Sequence, residues 1–124
     1  MKVSKREFDA MVKNALARIP QEVREHLENV VISVLKRPTP ELIRQNDLNP
    51  DEPPLGLYVG IPVTERDITN PPLYPDTIFL FQGPLEEICV SIEELVGEIE
   101  ITLVHEIAHA VGISEARLAE LGYD

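Results

Sequence analysis

The segment from Ser91 to Gly112, SIEELVGEIEITLVHEIAHAVG, constrains the fold more than any other part of the chain. Leu95, Val96, Ile99, Leu103, Ile107 and Val111 recur at helical spacing and place apolar side chains on more than one side of the helix. Such a helix has to lie inside the fold, with other elements packed against several of its sides. Ser91 and Glu94 have the spacing of a capping box at its start, and Gly112 suits a left-handed terminating position at its end.

The rest of the chain must supply that cover. Ser4 and Glu7 make another capping box, followed by a stripe of Phe8, Met11, Val12, Ala15, Leu16 and Ile19. Pro20 ends this helix or opens a second, which turns Val23 and Leu27 inward. Asn29 to Leu35 is a β-branched run, predicting a buried strand stopped by Lys36, Arg37 and Pro38. Thr39 and Pro40 open a short helix to about Gln45, and 46–54 reads as a loop. Leu55 to Val59 is a strand candidate that Gly56 weakens, 62–75 is an irregular proline-rich excursion, and Thr77 to Phe81 is the second clear strand. Ser114 caps a short last helix with Leu118 and Leu121 inward. The length of 124 residues suits one domain spanning 1–124.

Charge and cysteine content narrow the function. A net charge of −11 argues against nucleic acid as a partner, which needs clustered Lys and Arg. No apolar run approaches the ~20 residues that span a bilayer, and the charged N-terminal segment lacks a signal-peptide core, so a cytoplasmic protein without a membrane partner is expected. Cys89 stands alone and reads as a small core hydrophobe. His26, among Glu22, Glu25 and Glu28, reads as part of a solvated helix face.

Inside the long helix stands His105-Glu106-Ile107-Ala108-His109. Spacing of four brings the two imidazoles onto one helix face, one turn apart, where both can reach a tetrahedral Zn²⁺. Glu106 lies ~100° round the helix, able to reach a metal-bound water without ligating the metal. That suits hydrolysis, with the carboxylate as general base. The plain alternative is two histidines satisfied by neighbouring carboxylates. A catalytic zinc usually has a third protein ligand. Gly112 and Glu115 follow His109 at the spacing at which metzincins return a third ligand to the metal, making Glu115 the candidate. An acidic residue there also complements the helix dipole, and Glu120 is the reserve candidate.

On these residues the chain resembles a family of very short bacterial zincin-like metallopeptidases. The resemblance covers most of the chain. It rests on GLYVGIPVTER (56–66), DTIFLFQGPL (76–85) and above all LVHEIAHAVGISEARLAELGYD (103–124). It implies an α+β fold: a compact zincin-like core, with a small mixed β-sheet packed against the motif helix and flanking helices. It implies His105, His109 and Glu115 as zinc ligands, Glu106 as general base, and a peptide or protein substrate. If 77–81 is a sheet edge, its backbone would orient that peptide as an added strand. The chain departs from the family in having Glu115 where Asp is commoner, and Ala110 where a further His is common. Both methionines, Met1 and Met11, precede the motif, so no methionine turn of the metzincin kind is expected. The alternative function is a non-catalytic zinc-binding module that docks a partner protein.

Overall fold

The computed structural model describes residues 1–60 and 76–123. Helix α1 (Lys5–Arg18) starts at a complete capping box. The Ser4 hydroxyl accepts from the Glu7 N–H, and the Glu7 carboxylate accepts from the Ser4 N–H. Its stripe buries Phe8, Met11, Val12 and Ala15. Pro20 precedes α2 (Gln21–Leu27), which buries Val23 and Leu27. There follow β1 (Val31–Leu35), α3 (Pro40–Asn46) capped by Thr39, and β2 (Gly56–Val59). The proline-rich excursion expected over 62–75 lies outside the described residues. Next, β3 (Thr77–Phe81) runs directly into α4 (Gln82–Glu87), followed by α5 (Ile92–Val111) and α6 (Glu115–Glu120).

The three strands form one mixed sheet in the order β1-β3-β2. β1 runs parallel to β3, with Ile32 opposite Ile78 and Val34 opposite Leu80. β2 runs antiparallel, with Gly56 opposite Leu80 and Tyr58 opposite Ile78. Since side chains alternate across a strand, Ile32, Val34, Gly56, Tyr58, Ile78 and Leu80 share one face. α5 packs on β2 and β3, and also against α1, α2 and α4. The fold is therefore α+β, a small mixed sheet packed against several helices. The multi-sided apolar pattern of α5 is explained by its central place: Leu95, Ile99, Leu103 and Val104 are wholly buried.

Three expectations change. The strand 77–81 is the centre of the sheet, flanked on both sides, so it offers no edge to a peptide. β1, expected to be buried, is an edge strand among the described residues: Val31 is 46% exposed, and its alternate residues Ile32 and Val34 pack on the core. Helix α4 was not among the expected elements, and it contains Gly83 and Pro84. Pro84 falls in the first turn, where a missing N–H costs nothing. Gly83 is needed for close approach: its N–H donates to the Lys36 carbonyl at 2.8 Å, and a Cβ there would come within 2.8 Å of that oxygen.

Candidate metal centre on the long helix

Ser91 begins α5 by accepting from the Glu94 N–H at 3.1 Å. The Glu94 carboxylate turns outward to the Val90 N–H instead of closing the box on Ser91. At the other end, Gly112 adopts φ 81°, and both Gly112 and Ile113 donate to the Ala108 carbonyl. That turn releases the chain into α6, whose first residue is Glu115.

His105 and His109 lie one turn apart on α5, both exposed, with Glu106 half-buried between them. Glu106 leans toward the sheet, where its Oε1 accepts from the Tyr58 N–H of β2 at 2.9 Å. This N–H points away from β3, so the carboxylate meets β2 on the side that β3 does not occupy. Burial pushes the Glu106 carboxyl above its ordinary range, opposed by the Tyr58 hydrogen bond and by His109 and His105. Gly56 makes the approach possible. A methyl there would lie 2.6 Å from Thr102 Cγ2, 3.0 Å from the Phe79 carbonyl oxygen and 3.7 Å from Glu106 Cγ. The glycine that weakens the strand pattern is what lets α5 sit against β2.

Glu115 and Glu120 have different surroundings. Glu115 Oε1 is 4.0 Å from His109 Nε2, with both side chains largely exposed. Glu120 accepts from Arg117 at 2.7 Å, and Arg117 also pairs with Glu22, tying α6 to α2. Of the two, Glu115 is the carboxylate beside His109, and Glu120 pairs with Arg117. His26 is exposed on α2, and Cys89 is buried, its thiol pushed up by burial.

Residues 27–123 match the family of zincin-like metallopeptidases. The chain belongs to that family. It is also similar in fold to a conserved hypothetical protein from Thermo thermophilus, with a TM-score of 0.55 and 19% identity over 98% of this chain and 100% of the other. No curated protein matches. Within this zincin-like chain the chemistry of the donor set fits zinc: two imidazoles on one helix face, with a carboxylate beside the second. Among the described residues no three His, Cys, Asp or Glu side chains are gathered around one point. No helix of the described residues is long and apolar enough to cross a membrane.

Two contacts at this site escaped the sequence reading. One is Tyr58, whose N–H holds Glu106 and whose hydroxyl donates to Asp76 at 2.6 Å. The other is Tyr123, whose main-chain carbonyl lies 3.1 Å from His105 Nε2. Both meet the helix across gaps in sequence that local periodicity does not report. The LGLYV pattern with its glycine was the one available hint of close approach at Tyr58.

Proposed function

We propose that this chain is a zinc-dependent peptidase in which Glu106 is the general base and His105, His109 and Glu115 hold the metal. The observation that carries the reading is Glu106 itself: a half-buried carboxylate, fixed by a strand N–H, on the same helix as two exposed imidazoles one turn apart. When bound, zinc would supply Lewis-acid polarisation of the scissile carbonyl and acidify water. The chain's own residues supply the rest. Tyr58 N–H occupies Glu106 Oε1, which orients the carboxylate and leaves Oε2 to take up a proton. Burial favours the protonated form of Glu106, which suits a group that takes a proton and returns it to the leaving amine.

The test is Glu106→Gln assayed on a peptide library, together with zinc analysis. Hydrolysis should fall by at least ~10²-fold while zinc stays near one per chain. Hydrolysis unchanged by the substitution would remove Glu106 from the mechanism. A second reading is a non-catalytic zinc module that docks a partner protein, holding the metal through the same two exposed histidines. Its signature is zinc that raises thermal stability without turnover of any peptide.

A further inference from the structure

Tyr58 meets three parts of the fold at once. Its N–H donates to Glu106 Oε1 at 2.9 Å, and its ring packs against the core on the sheet face that α5 covers. Its hydroxyl donates to Asp76 Oδ2 at 2.6 Å, since an ionised carboxylate only accepts. Asp76 leads into β3, and its main-chain carbonyl accepts from the Val31 N–H of β1 at 2.9 Å. Asp76 therefore ties the entrance of β3 to β1 by its main chain and to β2 by its side chain. Gly60 leaves room for this: a Cβ there would lie 2.7 Å from Tyr58 Cε1 and 3.1 Å from Asp76 Oδ1. Tyr58 and Asp76 are both half-buried, a setting that favours a charge-assisted hydrogen bond.

We propose that the side chain of Tyr58, held by Asp76, positions Glu106: it fixes the strand N–H that in turn fixes the carboxylate. Its use in catalysis rests on the peptidase reading above, in which Glu106 is the general base. The Tyr58 N–H points away from β3, so the ladder between β2 and β3 does not hold it directly. The strand itself is a weak support, since β2 has four residues and the first, Gly56, brings no side chain to the pairing. The bond from the phenol to Asp76 anchors the same residue that meets Glu106. A carboxylate oxygen follows the donor that holds it, and a displacement of about 1 Å at a reacting group can cost ~10²-fold in rate. Acting through Glu106, Tyr58 is a positioning residue. In sequence the arrangement needs a tyrosine two residues before Gly60 and an aspartate directly before β3.

Two measurements on the full chain test it. The first is amide hydrogen exchange in Tyr58→Phe, which removes the hydroxyl and keeps the ring. Exchange at residue 58 should quicken about tenfold, toward the rate in Glu106→Ala, while the amides of β3 keep their wild-type rates. Asp76→Ala should reproduce Tyr58→Phe, and Asp76→Asn, which keeps a carbonyl acceptor for the phenol, should lose less. The second is kinetics on a peptide that the wild type cleaves: kcat should fall about tenfold in Tyr58→Phe, with KM within about twofold. Wild-type exchange at residue 58 in Tyr58→Phe would overturn the inference while leaving the peptidase reading intact. So would exchange that quickens equally across the sheet, which would make the Tyr58–Asp76 pair a general support of the fold. An exchange difference confined to residue 58, in a protein that cleaves no peptide, would support the positioning and overturn the peptidase reading alone.

Discussion

At the scale of single residues, Glu106 carries two opposed demands. Its carboxylate is half-buried against β2, which favours the protonated form, and its partners offset only part of that cost. The sign follows from linkage. A carboxyl with a raised folded pKa favours the fold most when protonated, so its contribution is full below the ordinary value of 4.5 and is lost as pH rises through the folded value. In zinc-free protein, Glu106→Gln should therefore melt higher than wild type at neutral pH, since the amide still accepts from Tyr58 N–H without a buried charge. The gap should narrow as pH falls toward 4.5, and melting curves that keep a constant separation across that range would contradict the account. His105, Glu106 and His109 were legible because helical spacing is local. Tyr58 and Tyr123 were not, because their contacts join positions 48 and 18 residues apart along the chain.

At the scale of elements, the helices were read more fully than the sheet, for a physical reason. A helix declares itself by capping and by one period, and Ser4, Thr39, Ser91 and Ser114 all accept from the first-turn N–H groups the spacing predicts. Strand order is set by which faces bury together, so nothing local in TIFLF distinguishes a central strand from an edge. Gly56 shows the same limit: in sequence it weakens a strand, and in the fold it sets the distance between β2 and α5. Gly56→Ala should cost about 1–3 kcal/mol in urea unfolding, because Thr102 is a short, buried side chain with little room to retreat. It should also lower hydrolysis by moving β2 away from Glu106. An unchanged unfolding midpoint would mean that α5 does not depend on that approach.

At the scale of the molecule, the question is whether metal holds the fold together or only completes a site. The core is formed without it: Phe8, Ile78, Leu80, Leu95, Ile99 and Leu103 are buried by helix-on-sheet packing, and none belongs to the candidate donor set. The α+β class was legible for the same reason, since a long multi-sided helix and short β-branched strands admit few arrangements. Zinc would instead link α5 to α6 through His105, His109 and Glu115, a contact that adds to an existing fold. Binding to the native state alone stabilises by about 2.7 kcal/mol at a hundredfold excess over Kd. For a chain of this length that is a rise in Tm on the order of 10 °C. Chelator should therefore lower the melting temperature by that amount and leave the far-UV circular dichroism at about 25 °C unchanged. Loss of the helical signal in chelator would make the metal a structural requirement, as in zinc fingers. Identical melting with and without zinc would show that the two histidines and Glu115 do not hold it.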